Sequence, residues 1–112
     1  ELRNPDPTAN PYLSLAVNLA SGLEGIKKNL KPIPAVFSNL YHMTDEERAA
    51  KGIGSLPASL IDAVKELEGC EFLLNVLGKH ASEKYIEAKY AEWDDYRMKV
   101  SQWELDKYLT IY

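Results

Sequence analysis

The chain is poor in the residues that small proteins use to staple themselves together. Its 112 residues include one cysteine, Cys70, and two histidines, His42 and His80. A single thiol forms no internal disulfide, and one thiol with two isolated imidazoles makes no metal-ligand set. That usage fits a reducing, cytoplasmic setting. No uninterrupted apolar run approaches about 18 residues and nothing resembles a secretory leader, so no membrane insertion is expected. Positive charge is also in deficit, with 13 Lys and Arg against 17 Asp and Glu and a net charge of −4. A binder of phosphate backbones would carry a basic field, so nucleic acid is not an expected partner.

Three of the six prolines fall at positions 5, 7 and 11. They remove three backbone donors and forbid regular structure until a helix begins, which makes residues 1–9 an extended arm. Glu1 and Arg3 stand two residues apart, on one face of a strand, because side chains alternate there with period two. One can hold a cation and the other an anion. A strand end needs a partner strand, and none is in sight; with no initiator methionine at Glu1, the sequence reads as the C-terminal piece of a larger enzyme.

The remainder reads as helical. Asn10-Pro11 is an N-cap with proline at the first helical position, opening a helix to about Asn29. Lys27 and Lys28 suit its negative end and are read as helix-end charges, not as an anion site. Tyr12, Leu13, Leu15, Val17, Leu19 and their apolar neighbours cover roughly 200° of this helix, more than a surface stripe, so it must be covered on two sides. Ser14, Asn18, Ser21, Gly22 and Gly25 fill much of the remaining arc, small enough for another backbone to approach. Lys31-Pro32-Ile33-Pro34 then forces a loop through about His42.

Thr44-Asp45-Glu46-Glu47 has capping-box spacing and predicts a short helix to about Lys51, stopped by Gly52. Ser59 caps a helix from Leu60 to about Leu67, punctuated by Gly69, with Leu60, Ile61, Val64 and Leu67 inward. Phe72, Leu73, Val76 and Leu77 form the buried side of a helix from Glu71 to Leu77, which Gly78 ends. Cys70 beside it reads as a small core residue and His80 as structural or solvent-exposed. The longest helix is expected from Ala81 or Ser82 to about Val100, with Tyr85, Ile86, Lys89, Trp93, Tyr96 and Val100 along one side. Glu83 and Glu87 repel, and Lys84 offers Glu87 a compensating partner. Ser101-Gln102-Trp103-Glu104 is a second capping box and starts a final helix from Gln102 to about Thr110. Chain ends are normally polar, whereas this one carries Trp103, Tyr108, Leu109 and Tyr112, so the tail needs a pocket or folds back on its own domain.

The series Glu1-x-Arg3, Asp6-Pro7, Asn10-Pro11-Tyr12-Leu13 resembles type I glutamine synthetase, the bacterial glutamate-ammonia ligase. Gly22-Leu23-Glu24-Gly25-Ile26-Lys27, Asn39-Leu40-Tyr41, Ser55-Leu56-Pro57-Ala58-Ser59-Leu60 and the tail at Trp103-Glu104 and Tyr112 continue the likeness over all 112 residues. The resemblance implies an all-α piece: a small irregular helical bundle with an extended N-terminal arm, the C-terminal part of the α+β catalytic domain. Residues 1–9 would be the end of an active-site strand and its loop, 10–100 the bundle, and 101–112 a helix reaching between the two rings of a homo-oligomeric double ring. It also favours packing of the first helix on an absent catalytic sheet over a purely central place in this bundle.

By the same resemblance ATP phosphorylates the side-chain carboxylate of glutamate and ammonia displaces the phosphate. Glu1 would be a ligand of Mg2+ or Mn2+ near the ATP phosphates, since carboxylate oxygen suits those ions. Arg3 would be a catalytic and substrate-binding residue, contacting the glutamate side-chain carboxylate and the transferred phosphoryl with its planar fork. Trp103, Tyr108, Leu109 and Tyr112 would be oligomer contacts. Tyr41 matches the position that accepts a nucleotide in adenylylated members. Its successors, His42-Met43-Thr44-Asp45-Glu46-Glu47, depart from that pattern and look like the Gram-positive, feedback-inhibited subtype, so Tyr41 reads rather as a surface or packing tyrosine. The piece alone would be inactive. The competing reading is an independent helical interaction module with an apolar docking tail; a third is a docking surface for a regulator.

Overall fold

The structure, a computed structural model, describes residue 2 and residues 4–111. Six α-helices account for its regular structure, and among the described residues there is no strand. They are α1 Pro11–Lys27, α2 Asp45–Ala50, α3 Leu60–Glu68, α4 Glu71–Leu77, α5 Lys79–Arg97 and α6 Gln102–Tyr108. The all-α expectation with an extended arm therefore stands.

Local chemistry sets the boundaries. Asn10 Oδ1 accepts from the amides of Tyr12 and Leu13 at 3.0 and 3.2 Å and starts α1. Both capping boxes close: Glu47 N–H donates to Thr44 Oγ1 at 3.2 Å while Thr44 N–H donates to the Glu47 carboxylate at 2.8 Å. Ser101 and Glu104 repeat the pattern at 3.2 and 2.7 Å. At the far end of α1, Asn29 adopts φ 51° and Leu30 N–H reaches back to Gly25 C=O at 2.9 Å, so the helix stops at Lys27, two residues before the expected end. Asn tolerates the left-handed region better than most side chains, and it closes here the wrap that glycine usually closes. Gly52, at φ 68°, does the same for α2.

Two differences from the sequence reading have clear causes. The 31–42 segment is not wholly irregular: Asn39 Oδ1 accepts from Tyr41 N–H at 3.0 Å and folds Leu40–His42 into a single 3-10 turn. α5 starts at Lys79, ahead of the expected Ala81 or Ser82, and ends at Arg97, short of Val100. Gly78 is both the last residue before it and the stop of α4, with φ 79° and ψ 152°. Its carbonyl accepts Ser82 N–H at 3.0 Å and Ser82 Oγ–H at 2.9 Å, so no linker separates the two helices.

The packed group is small. α3, α4 and α5 pack on one another and α1 lies on α4. Val64 of α3 and Ser82 of α5 are its buried residues, at 3 % and 4 % exposure. Tyr90 Oη–H of α5 donates to the Glu68 carboxylate of α3 at 2.6 Å and ties the pair at its rim. The side of α5 expected to face inward is only partly covered: Ile86, Lys89 and Trp93 are half-buried, but Tyr85, Tyr96 and Val100 are exposed. The helix outruns the short helices α3 and α4 beneath it. Lys84 Nζ–H donates to Glu87 at 2.6 Å, the compensating pair the sequence implies.

Size exposes what the packing leaves undone. The radius of gyration is 18.4 Å, where a compact chain of this length has about 13 Å. The accessible surface is 9810 Å², roughly 3,600 Å² above what a folded monomer of this mass presents. α1 shows where part of that excess lies. Leu13, Val17 and Ala20 are half-buried on the α4 side, while Tyr12, Leu15, Leu19, Leu23 and Ile26 form an exposed stripe on the other. A Cβ placed on Gly22 or Gly25 would meet nothing within 4 Å.

Two outcomes follow from this architecture. Gly78→Ala forces a side chain into backbone space that is nearly glycine-only and should cost about 1–3 kcal/mol, read by urea unfolding followed by circular dichroism. Gly54→Ala, where no neighbour lies within 4 Å and φ is not positive, should be close to neutral in the same measurement. Acid should act through the caps. The amide and hydroxyl of Ser101 donate to the Glu104 carboxylate and hold its pKa below the ordinary range. A carboxyl lowered on folding stabilises above its unfolded value, and that contribution disappears as pH falls through the lower folded one. The protection of the Ser101 amide, measured against the intrinsic exchange rate at each pH, should therefore fall in acid, and Glu104→Gln should remove that dependence.

Candidate functional site

Glu1 and Arg3, the residues on which the sequence places the chemistry, lie outside the described residues, as does Tyr112 of the tail. What the structure describes is the arm from Asn4 to Asn10 and the helices it meets.

The arm is built from prolines and side-chain hydrogen bonds. Pro5 and Pro7 have no amide hydrogen and preset φ. Asp6 accepts from the Thr8 amide at 2.6 Å and from the Thr8 hydroxyl at 2.5 Å, both on Oδ1, while the Ala9 amide donates to the Asp6 carbonyl at 3.1 Å. This is a turn closed by an aspartate side chain, followed directly by the Asn10 cap of α1. The Thr8 hydroxyl and amide hold the Asp6 carboxyl below its ordinary pKa. Both turns are local, so the direction of the arm is set within seven residues of α1 and then transmitted to α4 by the packing of α1.

Beneath the arm lies an open cleft of about 620 Å³. Leu13, Val17, Leu60, Leu67, Leu73 and Leu77 form its floor, contributed by α1, α3 and α4. Asp6, Thr8 and Asn10 on the arm side face Tyr85, Lys89 and Glu92 on the α5 side. Lys89 Nζ–H donates to Glu92 at 2.6 Å and lies 5.7 Å from the centroid of the Tyr85 ring. The hydrogen bond to Glu92 raises the Lys89 pKa, so the rim holds a firmly cationic group opposite the anionic Asp6.

The remaining site residues are spread over the surface. Tyr41 is 98 % exposed in the 3-10 turn, so among the described residues almost none of its surface is covered. Trp103, Tyr108 and Leu109 are exposed, at 63 %, 46 % and 71 %. The Trp103 and Tyr108 rings meet edge to face at 5.8 Å, and the main helix–helix packing among the described residues is that of α1, α3, α4 and α5. No group of three or more His, Cys, Asp or Glu that could hold a metal occurs among the described residues, and these do not by themselves frame a metal centre. The sequence reading missed the Asp6 turn and the Asn39 cap; both carry the plain signal of an Asp or Asn two residues before the amide it receives.

Comparison with known proteins agrees with the series of motifs. The family described as "Glutamine synthetase, catalytic domain" matches residues 1–108. Glutamine synthetase of Clostridium saccharobutylicum is 49 % identical over 112 residues, which is all of this chain and 25 % of that protein. The Methanocaldococcus jannaschii glutamine synthetase is 51 % identical over 109 residues, 97 % of this chain and 24 % of that protein. A solved structure described as "Apo GmaS without ligand" superposes with a TM-score of 0.77 at 36 % identity, covering 96 % of this chain and 24 % of that one. The chain thus spans about a quarter of the length of the curated relatives it matches. With the family model matching residues 1–108 and relatives about half identical over nearly all of the chain, the chain belongs to the glutamine synthetase family, as an all-helical part of its catalytic domain.

Proposed function

We propose that this chain is the C-terminal helical part of an enzyme that joins ammonia to glutamate at the expense of ATP, and that it supplies that enzyme with a strand end, an anchor for it and an oligomerisation tail. The observation that carries the reading is the Glu1-x-Arg3 pair followed in register by Asp6-Pro7 and Asn10-Pro11-Tyr12-Leu13 within a family match that covers nearly the whole chain. In the reaction a side-chain carboxylate oxygen of glutamate takes the terminal phosphoryl of ATP and ADP leaves. Ammonia then attacks the acyl carbon, phosphate departs and the nitrogen loses a proton. Phosphorylation is needed because a carboxylate has no adequate leaving group of its own.

Within that scheme Glu1 offers a hard carboxylate oxygen to a divalent cation, magnesium or manganese, which when bound neutralises charge on the phosphates. Arg3 holds the glutamate side-chain carboxylate and the phosphoryl that forms on it, two planar or trigonal anions matched by one guanidinium fork. One carboxylate does not complete a metal site, so the isolated chain should be inactive. The tail reading is supported by its apolar composition and by the exposure of Trp103, Tyr108 and Leu109: the segment would cross to a second ring of a homo-oligomeric double ring. The exposed stripe on α1 is the complementary intramolecular seam, covered by the rest of the same subunit. Tyr41 is placed where a nucleotide could be attached, but the residues after it support feedback control in its stead. A cytoplasmic enzyme fits the single thiol.

In the full-length enzyme Glu1→Ala should depress metal-dependent glutamine formation, and Arg3→Ala should chiefly damage glutamate and phosphoryl handling. Each is expected to lose about a hundredfold in rate, on the order of 3 kcal/mol. Steady-state kinetics across a magnesium series separates the two, and near-normal rates for both variants would remove the assignment. Deleting residues 103–112 should separate stacked rings and leave each active site chemically intact. Analytical ultracentrifugation reads it, and an unchanged double-ring sedimentation coefficient would return the tail to its own subunit.

A further inference from the structure

We infer that Asp6 is the positioning residue of the strand end that carries Glu1 and Arg3: its carboxylate closes the turn through which the backbone enters the helical bundle. The inference rests on the functional reading of Glu1 and Arg3 above and assigns Asp6 no contact with substrate.

Little besides side-chain hydrogen bonds holds the arm among the described residues. Residues 4–10 are exposed and belong to no helix or strand. Pro5 and Pro7 donate no amide hydrogen, and among the described backbone contacts the one bond inside the arm is Ala9 N–H to Asp6 C=O at 3.1 Å. Its geometry therefore depends on the side-chain bonds, and both converge on one oxygen of Asp6, from the Thr8 amide at 2.6 Å and the Thr8 hydroxyl at 2.5 Å. Immediately downstream Asn10 fixes the start of α1, and α1 is held on α4. Every link from the bundle to Asp6 is thus made, and Asp6 is the last of them before the strand end.

Across the cleft Lys89 is paired with Glu92 and, among the described residues, makes no ion pair with Asp6, so the turn does not depend on it. Asp6, Thr8 and Ala9 line the cleft together with Lys89 and Glu92 of α5. The charge of Lys89 adds, as a minor cause, to the lowering of the Asp6 carboxyl, and Asp6 in turn contributes to the raised Lys89. The arm therefore sits over a rim of complementary charge, with Glu92 already occupied by Lys89 at 2.6 Å. Since Asp6 is exposed and buries no apolar surface, its removal should redirect the strand end without unfolding the bundle. Misplacing a reacting group by about 1 Å can cost on the order of a hundredfold in rate, so a small change of direction here is enough to be read in kcat.

The test uses the full-length enzyme carrying Asp6→Ala, Asp6→Asn and Thr8→Ala. Asn keeps an oxygen that accepts from the Thr8 amide and hydroxyl but carries no charge; Ala keeps neither. Asp6→Ala should speed amide exchange of the peptide that contains Thr8 and Ala9, lower kcat by about tenfold or more, and leave the thermal midpoint of the assembly where it was. Asp6→Asn should restore both exchange protection and kcat to near the parent values, and Thr8→Ala should fall between. Unchanged protection or full kcat in Asp6→Ala would overturn the inference. So would an Asp6→Asn variant as impaired as Asp6→Ala, because the charge and not the turn would then be acting. If the parent enzyme makes no glutamine, the functional reading fails on its own, and amide exchange still decides whether Asp6 holds the turn.

Discussion

α4 is the joint on which the rest of the structure depends. It has seven residues, well below the roughly 12–15 at which an isolated helix becomes stable in water, and it has no side-chain cap at its start. Its persistence comes from being apolar on more than one side: Phe72, Leu73, Leu74, Val76 and Leu77 are all half-buried. One side receives α1, another the α3 and α5 pair. Gly78 lets the chain turn at once into α5, so the joint has no slack. Through it the arm, which touches the bundle mainly by way of α1, inherits the orientation of α3 and α5. An alanine at Leu73 or Leu77 would loosen not one contact but the relation between the arm and the rest of the chain, because both leucines also floor the cleft beneath the arm.

Seen from that joint, the exposed apolar residues sort into different physical situations. The α1 stripe is straight and continuous, with Tyr12, Leu15, Leu19, Leu23 and Ile26 on one arc of a helix whose other arc is already occupied. Such a helix has apolar residues on two faces, and among the described residues only one of them is covered. The loop after α1 is different: Phe37 and Tyr41 are almost fully exposed, on an extended, proline-bearing segment that a 3-10 turn closes. The tail differs again. α6 is stabilised by its own capping box and by an edge-to-face pair of rings, and it carries its apolar side chains away from the bundle. A surface excess of about 3,600 Å² is more than a standard interface buries, and it is distributed over all of these.

How far the sequence could be read follows from the range of the forces involved. Helix starts were legible because capping is chemistry within four residues: Asn10, Thr44, Ser59 and Ser101 each accept the amide that their spacing predicts. Stops were nearly as legible, and the early end of α1 came from Asn29 taking the role more often given to glycine. What periodicity could not decide was how much of each apolar face is covered. The α5 pattern put Tyr96 and Val100 inward, yet coverage depends on the length of the neighbours, and α3 and α4 are too short to reach them. Ser82 shows the converse: a hydroxyl among the most buried positions, accommodated because it donates back to the Gly78 and Lys79 carbonyls. The candidate site itself was legible as a motif, not as a geometry. Glu1 and Arg3 were named from a resemblance, while the turn that Asp6 builds was available from local spacing and passed over.

That division has a physical sense. A hydrophobic core holds elements together over many residues but tolerates small slides, since its attraction is not directional. Hydrogen bonds to a carboxylate or an amide oxygen are directional over a few tenths of an ångström. The arm uses the second kind almost exclusively: two prolines that limit the backbone, one aspartate that closes the turn, one asparagine that opens the helix. The bundle uses the first, and its share is to give that precise segment something stiff to stand on. Precision in the arm without α4 would be precision relative to a loose helix, and a firm α4 without Asp6 and Asn10 would leave a firm helix carrying an unfixed arm.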